Sequence, residues 1–283
     1  MKYAAISIKC ISFVLKLKLK CMDVANEIFN RSQLILGKKV MERLAAARVI
    51  VFGVGGVGSW CVESLIRTGL THITIVDSDR VAASNINRQL MATTASVGEV
   101  KVDALKRRLL DINPDAEINA IRDIYCADTA AGFDLSQYDF VIDAIDSIEN
   151  KVLLINNACD APGKPVLFSS MGAALKSDPT RISTAEFWKV EGCPLAAALR
   201  RRFKKSGHRP SRKFKCVFSP ELLPNRGDTT PPERNENGDI ESLDWNARKA
   251  QINGSLPHVT AVFGFTLASL VVNKIYDETY KNQ

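Results

Sequence analysis

The hydrophobic positions fall into short β-branched runs separated by longer stretches with a single apolar face. Arg48–Phe52 is the first such run; it breaks at Gly53, and a helical pattern follows from Gly56 to Gly69. Strands are then predicted at Ile73–Asp77 and near Ala116–Ile121, with a helix between them near Val97–Ile112. Further along come a strand at Phe140–Asp143, a helix over Ser147–Ala161 and a strand at Val166–Ser169. Strands alternating with helices of this length predict βαβ units, right-handed crossovers and a parallel sheet. The fold class is therefore α/β, a Rossmann-like doubly wound sheet through about residue 170.

Beyond Gly172 the texture changes. Strand-like pieces at Arg181–Ala185 and Cys216–Phe218 bracket a basic segment, and a Pro/Gly/Asn-rich stretch from Pro220 to Gly238 reads as a surface loop. The last feature is a charge-free run from Ser255 to Asn273, 19 residues long. Its length is at the lower edge of what spans a bilayer at ~1.5 Å per residue, yet His258, Thr260, Gly264, Thr266 and Ser269 interrupt it. An internal or subunit-interface helix is expected, with membrane association through residues 255–273 as the alternative.

With 46% hydrophobic and 24% charged residues, the chain can bury a full core, which excludes a disordered or collagen-like protein. Its seven cysteines form no CxxC pair, so a four-cysteine zinc site is not visible and a reducing, cytoplasmic setting is expected. The net charge of +7 is unevenly placed. Residues 1–21 hold five lysines and no acid, and residues 199–215 hold nine Lys/Arg and no acid; taking both away leaves −7 on the body. The N-terminal arm opens like a signal peptide, but Lys16, Lys18 and Lys20 interrupt the apolar stretch Cys10–Leu15 and no small-residue cleavage site follows. Residues 1–21 are expected to be a disordered arm or a start-site extension before Met22, and residues 22–283 a single domain. Within it, residues 22–174 form a nucleotide-binding half, and residues 175–283 carry the basic segment, the loop and the C-terminal helix.

The strongest chemical signal is GVGGVGS, Gly53–Ser59, between a strand and a helix. Gly53 permits a tight exit from the strand, Gly55 and Gly56 let phosphate approach the backbone, and Gly58 lets the helix pack close to the sheet. Asp77 ends the second strand, where a carboxylate can accept from both ribose hydroxyls. Alone, this pattern predicts a nicotinamide dinucleotide site. The residues that follow redirect it: Asp77 and Asp79, then Asn85, Asn87, Arg88 and Gln89, then Lys101. A triphosphate cleaved between its α and β phosphates needs such cations, because charge grows on the departing pyrophosphate. VIDAID adds Asp143 and Asp146 at the end of a strand, with Asp146 placed to hold Mg²⁺. Each residue also has a plain structural reading: Asp79 capping a turn, Arg88 pairing with Glu99, and Asp143 and Asp146 opening a helix.

GVGGVGS, IVDSDRV, SNINRQ, Lys101 and VIDAID together resemble the adenylating domain of the ubiquitin-activating superfamily, including its ThiF- and MoeB-type members, from about Phe29 to Ala174. The resemblance implies that Asp77 binds ribose, that Asn85, Arg88 and Lys101 bind phosphates, and that Asp146 handles Mg²⁺. Asp79 and Gln89 join the ATP-binding set, while Arg88, Lys101 and Asp146 form the catalytic set. Arg31 would reach into the partner subunit's site of a homodimer. Two departures narrow the branch. Sulfur-carrier-activating members carry paired CxxC motifs, absent here, and a reactive crossover cysteine, for which Cys193 and Cys216 are the nearest candidates but lack a neighbouring base.

In the second half, SMGAALKSDPTRI, CPLAAALRRRFKK, CVFSPE and VFGFTLAS are similar to the tRNA threonylcarbamoyladenosine dehydratases. That branch implies ATP-dependent adenylation of the threonyl carboxylate on a tRNA adenosine, followed by ring closure with loss of AMP. The alternative is adenylation of a sulfur-carrier or ubiquitin-like protein C-terminus. The acid-free run Arg200–Lys215, with Phe203 and Phe214 among its cations, suits an RNA backbone; Arg200, Arg201, Arg202, Lys204 and Lys205 are the expected tRNA contacts. A monovalent cation (K⁺ or Na⁺) near the site and a sulfur-transfer protein partner are left open by the resemblance.

Overall fold

The structure, a computed structural model, describes residues 27–227 and 253–280. The arm over residues 1–21, and the proline-rich stretch beyond Gly227, lie outside the described residues. The described residues form seven strands: β1 (Arg48–Phe52), β2 (His72–Val76), β3 (Glu117–Ile121), β4 (Phe140–Asp143), β5 (Val166–Ser170), β6 (Ser183–Glu186) and β7 (Lys215–Phe218). They form one sheet in the order β3-β2-β1-β4-β5-β7-β6. All neighbours pair in parallel except β6 with β7. The second half of the chain thus extends the same sheet, and the strand order reverses between β1 and β4. Open α/β sheets bind ligands in the crevice outside the strand ends at such a switch point.

The helices are α1 (Asn30–Leu36), α2 (Lys38–Ala46), α3 (Gly58–Thr68), α4 (Lys101–Ile112), α5 (Ile148–Asp160), α6 (Pro194–Ser206) and α7 (Pro257–Tyr280). A parallel strand covered on both faces reads as a continuous apolar run, and β1 shows why. Val49 and Val51 enter the core under α2, α3, α4 and α7, whereas Ile50 and Phe52 enter the core under α5 and α6. On the first face, Glu63 of α3 is gripped by Arg108 of α4 through its Nε (2.6 Å) and Nη2 (3.0 Å), and by Arg67 at 2.9 Å. Burial pushes the Glu63 carboxyl up, but its two guanidinium partners outweigh that and hold it below the usual range.

The charge-free run forms α7, which continues to Tyr280. It is long and apolar enough to cross a membrane by length and composition, but half of its most apolar window is buried inside the protein. Val259, Phe263, Leu267, Val271 and Ile275 form the row that fills the core against α3. A Cβ added to Gly264 would lie 2.5 Å from the Val57 carbonyl oxygen and 2.8 Å from the Cys61 nitrogen. Only glycine lets the two helix backbones approach this closely. The apolarity of this run therefore belongs to an internal helix that backs the glycine turn.

Candidate active site

The glycine turn leaves β1 at the reversal of strand order. Gly53 has φ +86°, and a Cβ there would fall 2.8 Å from the Ala144 carbonyl oxygen. A Cβ on Gly58 would come within 1.8 Å of the Gly53 carbonyl oxygen, so any side chain forces the turn open. Gly55 and Gly56 serve differently: their missing side chains leave room beside Gln89 Nε2 and the Arg88 Cγ. The turn is locked by Ser59, whose Oγ donates to the Gly55 carbonyl (2.6 Å) and accepts from Leu90 N–H (3.3 Å).

Asp77 sits just past β2, its Oδ2 accepting from Val54 N–H (2.9 Å) and its Oδ1 from Asp79 N–H (3.0 Å). Burial pushes its carboxyl above the usual range, only partly offset by the charge of Lys101. A raised carboxyl takes up its proton at a higher pH than a free aspartate, and the neutral form is a poorer acceptor for hydroxyl groups. ATP affinity is accordingly expected to fall with decreasing pH before ordinary aspartates titrate, and Asp77→Asn should flatten that fall. Calorimetric titration with ATP across the mildly acidic range measures it; a wild-type affinity independent of pH there would contradict the assignment.

Lys101 opens α4 almost fully buried and binds Asp79 Oδ2 at 2.7 Å, so the two predicted residues form one ion pair beside Asp77. Arg88 lies over Gly56. Its Nη1 donates to the Ser84 carbonyl (2.8 Å) and Asn87 Oδ1 (2.9 Å), and its own carbonyl accepts from Trp60 Nε1 (3.1 Å). Asn85 and Gln89 are buried; Asn85 Oδ1 accepts from Ala82 N–H (3.1 Å), while Asn85 Nδ2 and Gln89 Oε1 have no partner. Buried polar atoms are almost always paired: near the glycine turn the Asn85 amide group suits a phosphate oxygen, whereas the Gln89 carbonyl oxygen needs a donor such as a hydroxyl.

The two carboxylates of VIDAID part company. Asp146 is exposed on the turn between β4 and α5. Asp143 is fully buried, as is Lys151, whose Nζ lies 2.8 Å from Asp143 Oδ2. Asp143 also accepts from Ser169 Oγ (2.6 Å), and Lys151 donates to the Ile145 carbonyl (2.9 Å). Asp143 is a structural post for the turn that carries Asp146, its Oδ1 accepting from Ile145 N–H (3.2 Å), and it does not open the helix, which starts after Ser147. Lys151, Ser59, Trp60 and Thr260, whose methyl group would lie 3.4 Å from a Cβ on Gly56, were missed by the sequence reading. Of these, only Ser59, inside the glycine motif, carried a local signal. Among the described residues no group of three His, Cys, Asp or Glu gathers.

The crossover half corrects several expectations. Arg200 is not a free cation: its Nη1 donates to the carbonyls of Val190 (2.8 Å) and Phe187 (3.3 Å). Phe203 and Phe214 are core residues packed on Phe187, with ring centroids 5.7 Å and 5.0 Å away. Arg212 caps α5 through the carbonyls of Cys159 (2.7 Å) and Ala158 (2.6 Å). Arg201, Arg202, Lys204 and Lys205 remain exposed on α6. Cys193 and Cys216 are both buried, and burial pushes the Cys216 thiol well above its usual range.

The chain belongs to the ThiF family, which it matches over residues 29–282, and its glycine turn stands at the switch point of that family's adenylation-type α/β fold. It is similar to the tRNA threonylcarbamoyladenosine dehydratase of Bacillus subtilis, at 41% identity over 195 residues that span 68% of this chain and 74% of that one. The enzyme of the same name from Escherichia coli is 35% identical over 260 residues, 89% of this chain and 95% of that one. The crystal structure of the E. coli enzyme in complex with ATP matches with a TM-score of 0.76 at 31% identity, over 91% of this chain and 97% of that one.

Proposed function

We propose that this protein is an ATP-dependent tRNA threonylcarbamoyladenosine dehydratase, which converts the threonylcarbamoyl nucleoside of tRNA to its cyclic form. The carrying observation is that the likeness to the dehydratases runs through both the nucleotide edge and the crossover half, 89% of this chain in the E. coli case. Asp77 would accept from the ribose, the Gly53–Gly58 turn and α3 would face the phosphates, and Asn85 and Gln89 would find in the nucleotide the partners they lack. Arg88 and Lys101 would draw charge from the pyrophosphate as the threonyl carboxylate attacks the α-phosphorus. A nitrogen of the same modification then attacks the activated carbonyl, loses its proton, and releases AMP with the carboxylate oxygen. Proximity alone favours that ring closure, so no protein nucleophile is required. Asp146 is the residue that would hold Mg²⁺, which needs only one or two carboxylates when phosphate oxygens complete its shell and would offset charge on the departing pyrophosphate.

Mass analysis of tRNA nucleosides after incubation with the protein and Mg-ATP tests this reading. Loss of one water from the threonylcarbamoyl nucleoside is expected; an unchanged nucleoside rejects it. Cys193→Ser and Cys216→Ser should both retain turnover, whereas a carrier-protein adenylating enzyme working through a thioester would lose it. Replacing Arg201, Arg202, Lys204 and Lys205 together by Ala should weaken tRNA binding. The log–log salt slope should drop by about 0.7–0.9 for each phosphate left without its cation. An unaltered slope in filter binding would remove α6 from the RNA interface. The nearly fully exposed Leu34 and Ile35 of α1, at 79% and 80%, support a homodimer that covers them.

A further inference from the structure

The crossover half carries, besides its cations, an exposed indole that the nucleotide site does not use. Trp188 follows β6 and is 37% exposed. The Arg209 guanidinium lies over its ring at 5.7 Å. The Phe187 ring meets it edge-on at 5.1 Å and is itself clamped against Phe203 and Phe214 in the core. Arg200 binds the carbonyls on both sides of this turn, those of Phe187 and Val190, and so fixes Trp188 against α6. Lys189 beside it, Arg201, Arg202, Lys204 and Lys205 on α6, and Lys213 before β7 are all exposed.

The topology also fixes where this patch lies. α5 and α6 both start at the strand edge that bears the nucleotide site: α5 just beyond Asp146, and α6 where Leu195 Cβ comes 3.7 Å from the Cβ position of Gly172. Their far ends meet, His208 lying 3.3 Å from Asp160 and Arg212 bonding Cys159. Each helix has 13 residues, so at ~1.5 Å per residue the far end is about 20 Å from Asp146. Arg209 belongs to that far end.

We propose that Trp188, backed by Phe187 and steadied by Arg209, is a stacking platform for an unpaired base of the RNA substrate, about 20 Å from the adenylation site. This rests on the functional reading above. Cations alone would suit any polyanion, but an exposed indole held by Arg209 in the same crossover half suits a ligand that offers flat bases as well as phosphates. An acidic peptide offers no such face. The RNA is thereby held at two points: the reacting nucleotide at the strand edge, and a second base on Trp188 with phosphates along α6.

Filter binding of tRNA to the full chain, with W188A and W188F, tests the platform. W188A should weaken binding about tenfold while leaving the salt slope at its wild-type value, since stacking releases no counterions. W188F should recover most of the loss, and both variants should bind ATP as the wild type does. Poly(U) should compete better against the wild type than against W188A, and polyglutamate should compete equally against both. Wild-type affinity in W188A, or an affinity in W188F as poor as in W188A, would overturn the platform while leaving the dehydratase reading intact. Wild-type protein that neither binds nor dehydrates tRNA would overturn the functional reading itself.

Discussion

Lys151→Met should destabilise the protein by about 3–5 kcal/mol, the range for removing one member of a buried ion pair. Both partners are fully buried at 2.8 Å, so the variant strands the Asp143 carboxylate in the core between β4 and β5. It also removes the donor to the Ile145 carbonyl, which shapes the turn bearing Asp146. Urea denaturation, read as a shift of the midpoint at constant slope, measures the loss. The double variant Asp143→Asn with Lys151→Met should recover a substantial part of it, because no charge is then left without a partner. A single variant as stable as the wild type would mean that the pair is not buried as described.

Arg88→Ala and Asp146→Ala should each reduce tRNA-dependent pyrophosphate release by about 10²–10³-fold, the usual scale for deleting one preorganised group aimed at developing charge. Arg88 lies over the glycine turn, with its guanidinium held by Ser84 and Asn87, so its position is set before any substrate binds. Asp146 is exposed at the same edge. Neither fills the core, and unfolding midpoints should stay near the wild-type value. Lys101 makes a poorer test: it is buried on Asp79, and its removal mixes a stability loss with a chemical one. A variant with normal pyrophosphate release would remove that residue from the mechanism.

Much of the nucleotide edge was legible along the chain because its devices are local. A strand that stops at Gly53, a helix that must start by Gly58 and a carboxylate at the next strand end all follow from backbone sterics and the hydrophobic period over a few residues. The residues from Asp79 to Lys101 were legible as a group, though not the bond between Asp79 and Lys101. The basic segment was legible only as a charge count. Arg200 looks like Arg201 and Arg202 in sequence, yet it alone of the three turns inward to the carbonyls of the Phe187–Val190 turn. Phe203 and Phe214 read as RNA-facing aromatics until the Phe187 ring between them places all three in the core.

By itself, then, the sequence determined the α/β class, the glycine turn and the carboxylate after β2, since each depends on residues that neighbour one another in the chain. Only the tertiary structure decided that Asp143 pairs with Lys151, that Gly264 admits α7 against α3, and that Arg200 and Arg212 are braces while Arg201, Arg202, Lys204 and Lys205 face solvent. Those outcomes depend on which distant backbone or side chain lies opposite each group. A charge or an apolar run in the chain does not specify its partner; the fold supplies it.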